Sequence, residues 1–311
     1  MGTVAFLFAG QGAQHPGMAA SLLEREPAAQ ETFERLEALR PGLTDLCLTA
    51  GKDELTRTEN TQPAVFALDL AAARALEAHG VQPAAVAGFS LGEPCALTFA
   101  GTFTPEEGFS LVLERGRLME EAAERNPGGM RAVVKLSAPA VEALAAKAGD
   151  CWPVNYNSAM QTVVAGLPEA LGRLDDLVRE AGGRSLPVKV SGAFHSPLMV
   201  SASVGLEAYL RNHQPVPAKV PVWANATARP YPAEPDAMAS LLSSQASHPV
   251  RWQATVEALV GEGVDTFVEV GPGHTLTGLV RRIAPQVTAL PCETADQLDA
   301  VLSHLEGASD E

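Results

Sequence analysis

Short apolar runs alternate with longer amphipathic stretches through the first third of the chain. Val4-Ala5-Phe6-Leu7-Phe8 is wholly apolar and is closed by Gly10, which predicts a strand buried on both faces and then a loop. Residues 84–89 repeat that pattern. Residues 18–39, 62–79, 91–100 and 105–124 carry apolar positions at helical spacing on Ala/Leu/Glu-rich backgrounds. Strands alternating with helices predict an α/β fold whose parallel sheet is covered on both faces.

The pattern changes after Asn126-Pro127-Gly128-Gly129. A strand is predicted over 131–136, a helix over 138–148, strands over 152–155 and 162–165, a helix over 168–181 and a strand over 184–190. This β-α-β-β-α-β order is ferredoxin-like. Larger elements resume after His195: a helix over 198–212, strands over 220–224 and 266–270, and a last helix over 275–283. The expected layout is a discontinuous large domain, 1–125 with 196–311, interrupted by a small domain, 126–195. The acidic tail after Leu305 is expected to fray.

Composition narrows this picture. A chain of 311 residues has room for two cores, and 46% hydrophobic with 19% charged residues is normal for a packed protein. No apolar run is long enough to span a bilayer. The start lacks the basic region of a signal peptide, and Phe6 stands where N-myristoylation needs Ser or Thr. A net charge of −15 opposes nucleic acid and anionic membrane, and any acidic protein partner would need a local basic patch. The four cysteines have neither zinc-site nor disulfide spacing, so no metal is expected and a cytoplasmic location fits. Cys95 reads as a small buried hydrophobe.

Gly88-Phe89-Ser90-Leu91-Gly92 matches G-x-S-x-G between a predicted strand and a predicted helix. That turn holds a serine hydroxyl above the sheet edge at the positive end of a helix, and side chains at Gly88 or Gly92 would collide. The same residues also read as a capping box, Ser90-Leu91-Gly92-Glu93. A nucleophilic serine needs a base. Of seven histidines, His79, His213 and His304 lie in polar, solvated contexts. His195, in the small-residue loop Ser191-Gly192-Ala193-Phe194-His195-Ser196-Pro197, is modestly preferred over His274 and His15.

At this point the chain resembles the malonyl-CoA:acyl-carrier-protein transacylases and the related acyltransferase domains of polyketide synthases. The resemblance runs in order through Phe8-Ala9-Gly10-Gln11-Gly12, Thr61-Gln62-Pro63-Ala64, the Ser90 motif, Arg115-Gly116-Arg117-Leu118-Met119, Asn155-Tyr156-Asn157-Ser158, the His195 loop, Gln245 with Pro249-Val250-Arg251-Trp252, and Phe267-Val268-Glu269-Val270-Gly271-Pro272-Gly273. It implies an α/β-hydrolase-like large domain with an inserted ferredoxin-like small domain. It implies a Ser90–His195 dyad, an oxyanion hole from the Gln11 and Leu91 amides, and a Gln245 backbone carbonyl that holds the imidazole. Arg115 would bind the malonyl carboxylate, with Phe194, Met119 and Gln62 along the acyl pocket. A guanidinium suits that task because it grips a carboxylate through two parallel hydrogen bonds. A surface role is the plainer reading of an arginine on a polar helix. An aromatic at Phe194 goes with malonyl rather than methylmalonyl in the polyketide relatives.

The implied activity moves a malonyl group from malonyl-CoA to the phosphopantetheine of an acyl carrier protein, with no bound cofactor, in a monomer. A trans-acting polyketide acyltransferase, an acyl hydrolase, a malonate-decarboxylase subunit and a non-catalytic carrier-binding scaffold are the rivals on this fold. Arg131, Lys135, Lys147, Arg184 and Lys189 could form a basic docking rim or ordinary surface charge. The chain departs from the family pattern at Phe89, where histidine is usual, at Pro94, expected to disturb the start of the helix, and at Ala159-Met160.

Overall fold

The computed structural model describes residues 2–307. Its strands are β1 (Val4–Phe8), β2 (Ala85–Gly88), β3 (Gly129–Val134), β4 (Cys151–Ser158), β5 (Gln161–Gly166), β6 (Arg184–Val188), β7 (Val222–Trp223), β8 (Thr266–Val270) and β9 (Thr288–Cys292). The larger sheet has the order β7-β2-β1-β8-β9, and every pairing in it is parallel. All residues of β1, β2 and β8 are buried, as the continuous apolar runs require of strands covered on both faces. Parallel pairing also puts the carboxyl ends of β1, β2 and β7 side by side, and the loops leaving them carry Gln11, Ser90 and Asn225.

The smaller sheet has the order β4-β5-β3-β6 and is antiparallel throughout, the ferredoxin-like arrangement. Its residues divide by the two-residue period of a strand. Val133 and Val164 face the helices Ala138–Ala148 and Pro168–Glu180, where they meet Val141, Leu171 and Leu174. Met130, Val163 and Ala165 join the principal core instead. Backbone hydrogen bonds tie this sheet to the segment before the Trp252–Gly261 helix: Val250 donates to Val154 at 2.7 Å, and Tyr156 donates to Val250 at 2.9 Å.

Several predicted elements are corrected. The 18–39 stretch is two helices, Ala20–Arg25 and Pro27–Glu37, because Pro27 pushes Glu26 into an extended conformation. The 62–79 helix begins earlier and spans Thr58–Ala78, with Pro63 inside it. Proline leaves the carbonyl four residues back, that of Glu59, without its helical donor, and Arg40 supplies one at 2.7 Å. The 198–212 helix is a 3-10 turn, Pro197–Met199, followed by Val200–Leu210, and the 220–224 strand shrinks to β7. Thr275–Ile283 is not the last helix: edge strand β9 and the helix Ala295–Gly307 follow it. Pro291 obscures β9 in the sequence and is tolerated because that strand is at the sheet edge. The helices Leu43–Thr49, Lys52–Thr56, Pro235–Ser244 and Trp252–Gly261 went unpredicted. The tail expected to fray is helical through Gly307, and its remainder lies outside the described residues. Among the described residues no helix is long and apolar enough to cross a membrane. Cys95 is fully buried, and burial pushes its thiol pKa up, as its reading as a hydrophobe requires.

Candidate active site

The chain leaves β2 at Gly88, turns through Phe89, Ser90 and Leu91, and enters the helix Gly92–Phe99. Ser90 has φ 53°, a left-handed conformation that costs a non-glycine residue roughly 1–3 kcal/mol. Both flanking glycines are required, Gly88 by the turn itself and Gly92 by the end of β1. A Cβ on Gly88 would lie 1.9 Å from the Gly92 carbonyl carbon, and one on Gly92 would lie 2.2 Å from the Phe8 oxygen. Both obstacles are backbone, so neither can yield cheaply. Gly92→Ala is therefore expected to destabilise the protein by about 3 kcal/mol, read as a lower urea midpoint at unchanged slope. An unshifted midpoint would contradict the close approach.

Two side-chain amides brace this turn. Asn225 accepts from the Ser90 N–H at 2.8 Å and donates to the Gly88 carbonyl at 2.6 Å. Gln245 donates through Nε2 to the Ser90 carbonyl at 2.6 Å. Asn225 arrives there because β7 lies beside β2 and the chain leaves β7 towards the same sheet edge. Sequence reasoning missed it, and the only signal was a polar residue soon after a short strand.

Ser90 is not a helix cap. Leu91 is the capping residue of the Gly92–Phe99 helix, with no side-chain cap bond, and Ser90 Oγ lies 2.6 Å from His195 Nε2. The Glu93 side chain turns away from the helix end to Asn225, Gln245 and Tyr231. Pro94 does not disturb the helix start. It is the third helical residue, where the missing N–H has no intrahelical acceptor in any case. Phe89 packs edge-on against Trp252, with ring centroids 5.3 Å apart, and crowds Gly10 on the loop that carries Gln11.

His195 is 3% exposed and has φ 63°, so both members of the pair sit in left-handed backbone. Its amide donates to the Ala246 carbonyl at 2.9 Å. Its Nδ1 lies 3.0 Å from the Gln245 carbonyl. A carbonyl can only accept, so Nδ1 carries the hydrogen and Nε2 turns a lone pair to the Ser90 hydroxyl. Burial, and then the nearby Arg115 charge, lower the His195 pKa to about 4. The imidazole is neutral at pH 7 without help from a carboxylate. The other candidates lie elsewhere: His15 pairs with Glu293 at 2.5 Å, and His274 precedes the Thr275–Ile283 helix. His79, expected to be solvated, is paired with Glu26 at 2.9 Å, and His213 stacks on Tyr209.

Arg115, on the helix Pro105–Arg125, is 2% exposed, which overturns the surface reading. It donates to Gln62 Oε1 at 3.0 Å, to Gln245 Oε1 at 2.9 Å and to Ser90 Oγ at 3.3 Å. Its Nε has no partner among the described residues. Burial lowers its pKa to about 10, against the attraction of Glu93, so it stays charged at neutral pH. Arg117, two residues on, lies outside the site and pairs with Glu114 and Glu121. Gln62 sits between Arg115 and the Met119 sulfur, which is 4.0 Å from its Nε2. Phe194 is buried in the principal core, where its ring, Ala123 and Met199 crowd Gly192. The Gln11 and Leu91 amides have no hydrogen-bond acceptor among the described residues, and Gly10 lies against the Phe89 carbonyl. Of the suggested docking residues, Arg131 is engaged by Asp175 at 3.1 Å.

The buried acids add a pH signature. Burial raises the Glu93 pKa to about 7, opposed by its hydrogen bonds to Tyr231, Asn225 and Gln245. As pH falls from 6.5 to about 4, the unfolded chain takes up the His195 proton first, so that contribution to stability is lost on acidification. As pH rises from 4.5 to about 7, the unfolded chain releases the Glu93 proton first, so that contribution is lost in the opposite direction. For acylation of Ser90, the acid limb is expected at an apparent pKa of about 4 instead of the 6.5 of a free imidazole. Rapid-quench rates across that range in Glu93→Gln, which lacks the carboxyl that titrates at about 7, check it, and a limb near 6.5 would show that His195 is not held neutral.

A serine, a neutral imidazole and a buried guanidinium thus meet at the end of a parallel sheet. A family model described as acyl transferase domain matches residues 5–297. The chain belongs to the acyl transferase domain family. Within this family it is 33% identical over 316 residues to the malonyl CoA-acyl carrier protein transacylase of Bacillus subtilis, covering 100% of this chain and 99% of that one. The crystal structure of malonyl CoA-acyl carrier protein transacylase from Clostridium perfringens superposes with a TM-score of 0.94 at 34% identity, covering 99% of this chain and 98% of that one. A second solved structure holds a type II PKS acyl-carrier protein in complex with its malonyl-transacylase. It matches with a TM-score of 0.93 at 33% identity, covering 97% of this chain and 99% of that one. The two-sheet architecture is therefore one this acyl transferase shares with its solved relatives.

Proposed function

We propose that this acyl transferase moves a malonyl group from malonyl-CoA to the phosphopantetheine thiol of an acyl carrier protein, in fatty acid or polyketide synthesis, through an ester on Ser90. The observation that carries the reading is the Ser90 hydroxyl 2.6 Å from His195 and 3.3 Å from the Arg115 guanidinium. A malonyl thioester has its carboxylate one methylene from its reactive carbonyl. A cation next to the nucleophile suits a diacid that short, since the carboxylate can pair with Arg115 while the carbonyl stays over Ser90.

His195 Nε2 accepts the hydroxyl proton as Ser90 Oγ bonds to the thioester carbon. The carbonyl oxygen becomes an oxyanion facing the free Gln11 and Leu91 amides. Collapse breaks the carbon–sulfur bond, and the coenzyme A thiol leaves with the proton from His195. The carrier thiol then gives its proton to His195, attacks the malonyl ester, and Ser90 recovers its hydrogen. Gln62, Met119 and Phe194 line the acyl pocket in this reading. Residues 126–195 form the small unit, while 1–125 with 196–311 form the large one, and the site lies at their junction, where His195 ends the insertion. Lys135, Lys147, Arg184 and Lys189, which form no ion pair among the described residues, offer positive charge to an acidic carrier.

Mass spectrometry after incubation with malonyl-CoA should find a malonyl adduct on Ser90 that the carrier thiol discharges. A protein left unmodified would sink the reading, and free malonate as the main product would make the enzyme a hydrolase.

A further inference from the structure

Glu93 has no part in the transfer steps above, yet it is 1% exposed and lies within the site. Burying a carboxyl is costly unless its oxygens are paired, and each oxygen of Glu93 is spoken for. Oε1 accepts from the Tyr231 hydroxyl. Oε2 accepts from the Asn225 N–H at 3.1 Å and from Gln245 Nε2 at 3.2 Å. Two of these donors, Asn225 and Gln245, also hold the Ser90 turn.

The Gln245 amide is the connecting piece. Its nitrogen faces acceptors only, the Ser90 carbonyl at 2.6 Å, Glu93 Oε2 and Asn225 Oδ1 at 3.3 Å. Its oxygen must then point the other way, and there it accepts from Arg115 at 2.9 Å. If the amide reversed, an NH2 group would face the guanidinium, donor against donor. Glu93 opposes that reversal because a carboxylate accepts on every side. It is also the anion whose charge acts on buried Arg115.

Resting on the functional reading given above, we propose that Glu93 is a positioning residue for malonyl transfer. Through the side-chain amide of Gln245 it holds the Arg115 guanidinium and the Ser90 carbonyl in one rigid frame. The substrate carboxylate therefore meets a cation already set at a fixed distance from the nucleophile. A residue that only packed the Gly92–Phe99 helix onto β2 would not need a carboxyl with both oxygens engaged, nor share two of its three partners with the Ser90 turn.

The test is a double-mutant cycle in the full-length protein, reading kcat/KM for Ser90 acylation by malonyl-CoA and by acetyl-CoA. Glu93→Gln keeps the shape and removes the charge, and Gln245→Ala removes the amide but keeps the backbone carbonyl that faces His195. Glu93→Gln is expected to lower malonyl kcat/KM by about tenfold and to affect acetyl, which has no carboxylate, by less than about threefold. In the Gln245→Ala background the same change is expected to cost nothing further, because the connection is already cut. Losses that multiply, or fall equally on both donors, would overturn the inference in favour of a structural role. If Glu93→Gln does not fold, Tyr231→Phe removes one donor to the carboxyl. It should lower malonyl kcat/KM by about threefold, and only where Gln245 is present. Unchanged kinetics in either folded variant overturns the inference alone, whereas a wild-type protein that forms no malonyl-Ser90 overturns the functional reading on which it rests.

Discussion

Replacing His195 by alanine is expected to slow acylation of Ser90 by about 10³- to 10⁴-fold, and Ser90→Ala to remove the covalent intermediate altogether. Among the described residues Ser90 Oγ has two side-chain hydrogen-bond partners, His195 Nε2 at 2.6 Å and Arg115 at 3.3 Å. A guanidinium has no lone pair to offer, so no second base stands within reach when the imidazole is gone. The residual rate in His195→Ala should rise with pH, because hydroxide then has to do the work. Since His195 has φ 63°, alanine there adds backbone strain, and asparagine is the better-matched control. His195→Asn should fold normally and show the same loss. Single-turnover quench measurements with malonyl-CoA decide the matter, and a variant within tenfold of wild type would mean that another group takes the proton.

The second large effect is expected at Arg115. Arg115→Ala should lower kcat/KM for malonyl-CoA by about 10²- to 10³-fold while leaving acetyl-CoA within a few-fold of its starting value. The loss corresponds to removing one partner of a buried, hydrogen-bonded charge pair, and acetyl has no carboxylate to miss it. Arg115→Lys should not restore malonyl transfer. A single ammonium cannot satisfy Gln62 and Gln245 on two sides and still grip a carboxylate with parallel bonds. Arg115→Ala also leaves both glutamine oxygens without a donor and Glu93 without its counter-charge, so a drop in stability of about 3 kcal/mol should accompany it. The ratio of malonyl to acetyl turnover separates the two consequences, because a general loss of folded protein lowers both equally. A ratio unchanged in Arg115→Ala would remove Arg115 from substrate recognition.

These effects come from residues of unequal visibility in the sequence. Every element of the smaller sheet is legible in the sequence, since its two helices are amphipathic and the turns between successive elements are short, although β4 is longer than the pattern shows. After His195 the helix over 198–212, the strand over 266–270 and the helix over 275–283 are legible, whereas the helices Pro235–Ser244, Trp252–Gly261 and Ala295–Gly307 and strand β9 are not. β7 is legible only as part of the longer run 220–224, and β9 contains a proline, so its pattern does not stand out from a loop. The Glu26–Pro27 break is legible in the sequence, because proline disfavours helical geometry at the residue before it. Arg115 illustrates a different limit: its helix is polar on one side, and only the packing of Gln62 and Gln245 against it shows that the guanidinium points inward.

Local chemistry by itself determined that Ser90 lies between a strand and a helix, that Gly88 must lack a side chain, and that an α/β chain is interrupted by a ferredoxin-like insertion. Those properties depend on neighbours a few residues apart. Whether Ser90 caps a helix or faces a base was decided by His195, 105 positions away, and the bracing of the turn by Asn225 and Gln245, 135 and 155 positions away. Parallel strands bring the Ser90 and Asn225 loops to one edge of the sheet, where the His195 loop and Gln245 meet them from other elements, and the hydrogen bonds made there depend on three-dimensional distance and burial, for which a linear pattern has no period.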